Sequence, residues 1–168
     1  MRQLPNLEDT LQDIITYLNF GYGDVDDIIL AVLKFIYTGS YDGPPGFPEC
    51  DPPYFHSRVY WLASSYNFQE LKEYSVAKFA FCIDHDLSLE GFLESPHLHL
   101  SLAYDIPFDT SRGVRDVMLR FCARHAKELV SDESFYRELE IPDDFWREFA
   151  LHLAGCPDLS IISDSSED

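Results

Sequence analysis

Basic residues are scarce in this chain. Against 30 aspartates and glutamates stand 12 lysines and arginines, a formal net charge of -18 over 168 residues. A field of that sign repels phosphate backbones and anionic lipid headgroups. It disfavours nucleic acid and membrane surfaces as partners and favours basic proteins. The imbalance grows along the chain: residues 1–80 hold 11 acids and 5 bases, residues 81–168 hold 19 acids and 7 bases. Cysteines are few and far apart (Cys50, Cys82, Cys122, Cys156), and the opening MRQLPNLEDT has no apolar core of a secretory signal. The expectation is reduced thiols in a cytoplasmic or nuclear protein. No apolar run approaches the ~20 residues of a membrane span. Asn6, Asn19 and Asn67 are each followed by the wrong residues for glycosylation. Gly-x-Ser-x-Gly, P-loop and Rossmann glycine patterns are all missing, so no catalytic residue and no cofactor is assigned and the chain reads as a non-enzyme.

What is present is aromatic and apolar material for one core. Thirteen Phe and ten Tyr accompany an ordinary apolar fraction, and a chain of this length buries roughly 70% of its unfolded surface. The best-defined stretch is Asp24–Tyr41, DVDDIILAVLKFIYTGSY. Asp24 suits an N-cap and Asp27 the first turn. Val25, Ile28, Ile29, Val32, Leu33 and Ile36 repeat at helical spacing, Leu30, Phe35 and Tyr37 widen the stripe, and Gly39 is the stop. A helix apolar almost all round is expected to be central and covered on every side.

The remaining chain reads as a series of further helices. A short one carries Leu11, Ile14, Ile15 and Leu18. Asp42–Pro53 is a proline-rich loop that ends at a helix start, Asp51-Pro52. Helices then follow over Pro53–Tyr66, with Asn67 as C-cap, and Phe68–Ile83, forming an αα-hairpin. Asp84–Glu94 reads as a polar break with a short apolar insert. Ser95-Pro96 opens a helix through Tyr104, and 105–111 is a loop. One long helix spans Ser111–Val130, with Val114, Val117, Met118, Phe121, Cys122 and Leu129 inward. Ser131 or Asp132 caps a short helix. Pro142 opens a last one, with Phe145, Trp146, Phe149, Ala150 and Leu153 inward and Gly155 as the stop. No clear strand pattern is present, so the fold class is mainly α with little or no sheet.

Two strings carry a resemblance. VLKFIYTGSY, a loop, then FHSRVYWLASSYNFQELKEYSVAKFAF resembles the C-terminal half of a BTB/POZ domain, through Val59, Tyr60, Leu62, Ala63, Tyr66, Leu71, Lys72 and Ala77. LSLAYDIPFDTSRGVRDVMLRFCARHAKEL resembles the helical tail of fungal-type BTB proteins, through Tyr104, Pro107, Arg112, Gly113, Arg115 and Asp116. Residues 1–23 do not match the strands with which that family begins. The resemblance implies an N-terminal segment 1–23, a partial BTB/POZ domain 24–83, a helical extension 84–155 and an acidic tail 156–168. It implies a non-catalytic protein–protein interaction module, an oligomerisation unit or an adaptor for a cullin-type ubiquitin ligase. Self-association and a cullin are then the expected partners, and Tyr37, Tyr41, Tyr54 and Phe55 the expected contact residues. In the tail, Leu159, Ile161 and Ile162 beside acids and serines resemble a motif that binds the ubiquitin-like modifier SUMO by adding a strand to a sheet edge.

The histidines and cysteines give the competing reading. Cys82-x-x-His85, Cys122-x-x-His125 and His97-x-His99 are spacings that a zinc site or a Cys–His nucleophile could use. Small core cysteines and surface histidines explain the same residues, and no metal ligand is assigned. The alternatives to the interaction module are thus a small Cys/His metal-binding or hydrolytic protein, or a truncated BTB fragment without function.

Overall fold

The computed structural model describes residues 25–43, 53–104, 112–133, 135 and 141–155. Among them the fold is mainly α, with eight helices and no strand: α1 Val25–Thr38, α2 Pro53–Ser65, α3 Gln69–His85, α4 Leu89–Glu94, α5 Pro96–Tyr104, α6 Gly113–Arg124, α7 Ala126–Ser131 and α8 Asp143–Leu153. The expectations for Asp24, the 1–23 helix, Asp51, the 105–111 loop and the tail lie outside the described residues. No helix among those described is long and apolar enough to cross a membrane.

The central helix is α2, not α1. Phe55, Val59, Tyr60, Trp61, Leu62 and Ala63 are all buried, and so are the polar His56 and Ser57. It packs most extensively on α3, with α1 and α5 as further neighbours. The α2–α3 link is closed by Asn67, whose φ of 52° is left-handed. There the Asn67 N–H donates to the Ser64 carbonyl at 3.1 Å and the Phe68 N–H to the Ala63 carbonyl at 2.8 Å. This paired closure satisfies carbonyls that a helix end leaves open. On α3, Leu71, Ser75, Phe79 and Cys82 face inward as their spacing requires.

Helix α1 departs from its expected burial. Its stop is as read: Gly39 sits at φ 74° and its N–H donates to the Phe35 carbonyl at 2.8 Å. Among its described side chains only Ile28, Ala31 and Phe35, one i, i+3, i+7 stripe, are buried. Phe35 meets Phe68 and Tyr74 with ring centroids 5.7 and 5.2 Å apart. Leu30, Leu33, Ile36 and Tyr37 are 58, 43, 56 and 85% exposed. The correction has a plain cause: α1 lies at the edge of the fold and contacts mainly α2, so one face is covered and the other is not.

Two further elements differ from expectation. The polar break 84–94 contains α4, with Ser88 as N-cap accepting from the Gly91 N–H at 3.0 Å, and it buries Phe92 completely. The long helix 111–130 is two helices, α6 and α7, separated at His125 (φ -107°, ψ 18°). Its inward residues are those read from the period: Val114, Val117, Met118, Phe121, Cys122 and Leu129 are buried. On α8, Phe145 and Phe149 point in, whereas Leu153 is 49% exposed and Ala150 is exposed too. One hydrophobic cluster runs from Ile28 to Phe149, joining residues of every helix. The stretches 24–83 and 84–155 therefore share a core, chiefly through α3 against α6.

Candidate functional site

Two places stand out: a buried polar clasp in the second half of the fold, and the bare face of α1. The clasp forms where α5, α6 and α8 meet. Its centre is Glu148 on α8, 3% exposed. Arg112 donates to both its carboxylate oxygens, Nη1 to Oε1 at 2.9 Å and Nη2 to Oε2 at 3.2 Å. Tyr104 Oη donates to Oε2 at 2.8 Å, and Arg115 Nη1 lies 3.7 Å from Oε1. The Arg115 guanidinium sits 4.9 Å over the Tyr104 ring and also donates to the Tyr104 carbonyl. Arg112 Nε holds Asp116 at 3.2 Å. Bidentate arginine–carboxylate geometry of this kind combines strength with fixed orientation.

The charges respond accordingly. Burial, and next the Glu148 charge and hydrogen bond, push the Tyr104 hydroxyl far above its ordinary pKa of 10.0. Burial acts against the Arg112 charge, but the hydrogen bond and charge of Glu148 outweigh it and raise that group's pKa above its ordinary value. The clasp is an ion pair of fixed orientation, with its carboxylate buried. Its backbone is shaped to match. Arg112 is left-handed at φ 56°, and the next residue, Gly113, is packed so closely that a Cβ there would stand 2.6 Å from Val76 Cγ2 and 3.0 Å from Tyr60 Oη. The Gly113 N–H donates to that same Tyr60 hydroxyl at 3.1 Å. The string Arg112-Gly113-x-Arg115-Asp116 thus has a packing reason at four of its positions.

The expected contact residues divide. Tyr37 is the most exposed large apolar side chain among those described. Tyr54 is half-buried and accepts from Arg58 Nε at 3.0 Å. Tyr41 and Phe55, expected at a partner surface, are core residues, 0 and 7% exposed. Tyr41 Oη pairs with His56 Nδ1 at 3.0 Å, and its ring lies edge-on to Tyr74 at 5.1 Å. An aromatic ring beside a turn can close the turn onto the core as readily as it can meet a partner, and Tyr41 does the former. Burial first, and the Lys78 charge second, lower the His56 pKa from 6.5 to about 4, so this imidazole is neutral at pH 7. Leu159, Ile161 and Ile162 lie outside the described residues.

The Cys/His spacings do not converge among the described residues: no group of three His, Cys, Asp or Glu side chains is placed to hold a metal ion. Cys82 and Cys122 are buried and in no disulfide. Burial pushes the Cys122 thiol up to about 12, which keeps it protonated and poorly nucleophilic. His85 stacks on Phe81 at 4.1 Å, with its Nδ1 2.9 Å from the Phe81 carbonyl, and His125 packs on Phe121 at 5.0 Å.

Sequence reasoning missed Glu148 and the outer face of α1. The signal for Glu148 was present: it lies three residues after Phe145 and next to Phe149, on the buried side of a strongly amphipathic helix. A carboxylate in such a stripe calls for a buried cation. Nothing in the composition of α1 separates its covered apolar residues from its bare ones. Comparison of the chain with protein-family models, curated proteins and solved structures gives no match.

Proposed function

We propose that this chain is a non-catalytic protein–protein interaction module, of the BTB/POZ type its sequence resembles, with the outer face of α1 as its docking surface. One observation carries the reading: Leu30, Leu33, Ile36 and Tyr37 form a row of large apolar side chains, each at least 43% exposed, on one face of one helix. Scattered apolar residues on a surface are ordinary, but a contiguous row marks a place where another surface belongs. The face suits a helix-in-groove or helix-on-helix contact, read by anchors at i, i+3 and i+7. The polar groups support the same reading from the other side. Glu148, Arg112, Arg115 and Tyr104 are spent on one another, which is the work of a scaffold.

The partner classes this reading admits are those implied by the resemblance: a second copy of the chain, or a cullin-type scaffold of a ubiquitin ligase. A ubiquitin-like modifier at Leu159, Ile161 and Ile162 is a further proposal, resting on the acidic, β-prone tail sequence alone. The test is affinity capture with the full chain against the pair Leu33→Asp and Ile36→Asp, with Leu153→Asp as a surface control. A stoichiometric partner held by the parent and the control but lost from the pair is the expected result. Equal capture by all three would remove α1 from the interface.

A further inference from the structure

We infer that the outer face of α1 takes a basic amphipathic helix, packed antiparallel, with a Lys or Arg of its last turn set against Asp26. The inference rests on the docking reading above and adds the chemistry and direction of the partner. Leu30, Leu33 and Tyr37 are spaced i, i+3, i+7, and Ile36 widens the row. Ile28, Ala31 and Phe35 occupy the opposite, covered side. From Leu30 to Tyr37 the row runs about 11 Å, two turns of helix. A row of that kind meets another helix ridge against groove, over a few turns.

The charge along this row is one-sided. Asp26 is exposed and stands one turn before Leu30 on the same line, with the half-buried Asp27 beside it. Lys34 is the only lysine or arginine of α1, and Asp42 already binds it. The Lys34 hydrogen bond and charge hold the Asp42 carboxyl below its ordinary pKa, and Lys78 acts in the same direction. The charges toward that end are thus answered within the fold. Among the described residues neither Asp26 nor Asp27 has an ion pair. An antiparallel partner brings the end of its helix to Asp26. A Lys or Arg there is favoured twice, by the dipole of its own helix and by Asp26. A parallel partner brings the start of its helix, where acids are at home and meet Asp26 as like charge. At longer range the net charge of -18 draws basic segments in.

Two other occupants fit worse. A second copy brings no base in the last turn of its own α1, and two chains of net charge -18 repel each other before their apolar faces meet. An anionic lipid surface meets the same repulsion, and α1 has no rim of lysines and arginines to offset it.

The test uses the full chain and three labelled synthetic helical peptides of about 18 residues, read by fluorescence anisotropy. All three share one leucine stripe at i, i+3, i+7. The first carries lysines in its last turn, the second carries them in its first turn, and the third has glutamates in their place. The first is expected to bind one to one, at least ~5-fold tighter than the other two at about 0.05 M salt, with the advantage shrinking at about 0.5 M. Asp26→Asn should remove most of that advantage and leave the second peptide's affinity unchanged. Leu33→Asp with Ile36→Asp adds negative charge, so it strengthens any unspecific attraction, yet it should abolish binding of the first peptide. Leu33→Ser with Ile36→Ser reads the same loss without new charge, and circular dichroism checks that both pairs stay folded. Equal affinity for all three peptides, lost in both pairs, overturns the basic partner and leaves the docking face standing. Binding of the first peptide undiminished in both pairs overturns the docking face itself. Binding of none of the peptides overturns the inference. So does a dimer of the unsubstituted chain in sedimentation that the serine pair abolishes, which gives the face to a second copy.

Discussion

A carboxylate 3% exposed, as Glu148 is, has given up nearly all its water and depends on Arg112, Tyr104 and Arg115 to replace it. Glu148→Ala leaves Arg112 and Arg115 as neighbouring cations with no common anion. The expected loss is about 3 kcal/mol, toward the lower end for a broken buried pair because Arg112 keeps some solvent contact. Urea unfolding measures it as a lower midpoint at unchanged slope. His56 gives a prediction in pH. The unfolded chain takes up this proton near 6.5, the folded one only near 4. Between those values the unfolded state binds more protons, so stability is full above about pH 6.5 and is lost as pH falls toward 4. The loss is at most about 3 kcal/mol from this group. His56→Gln should remove that part of the pH dependence, measured as the difference between the two proteins' stability–pH curves. Neither pairing was legible in the sequence, because Glu148 is 36 residues from Arg112 and His56 is 15 from Tyr41. Spacings that long carry no periodic signal.

At the scale of elements, the helical period identified most inward faces and misjudged how many faces each helix buries. α1 and α2 exchange roles for this reason. α1 is more apolar, yet α2 lies in the middle and buries even a histidine and a serine, because neighbours and not composition decide what is covered. The two faces of α1 should respond differently to substitution. Phe35→Ala removes a ring packed between Phe68 and Tyr74 and is expected to cost about 3 kcal/mol. Leu33→Ser is expected to change global stability by no more than about 0.5 kcal/mol. Thermal and chemical unfolding of the two variants side by side checks the contrast. A comparable loss in both would mean that the outer face belongs to the cooperative core. The boundaries at Gly39 and Asn67 were legible, since both need the left-handed conformation those residues adopt cheaply. The break at His125 was not: neither proline nor glycine marks it.

For the whole molecule the charge of -18 is the dominant long-range term. Excess like charge strains the compact state, and salt relieves it by shortening the Debye length from about 30 Å at 0.01 M to about 8 Å at 0.15 M. The melting temperature is therefore expected to rise over that range of sodium chloride, read by circular dichroism. A fall would mean that ion pairs such as Arg124–Asp84 and Lys34–Asp42 outweigh the repulsion. The helical class, the order of the elements and most inward-facing residues followed from the sequence alone, because capping and a 3.6-residue period are local properties of a chain. Which helix is central, which arginines meet Glu148 and which leucines stay bare were decided only by the tertiary structure. Burial and pairing depend on what comes to lie alongside, and residues distant in the chain supply that.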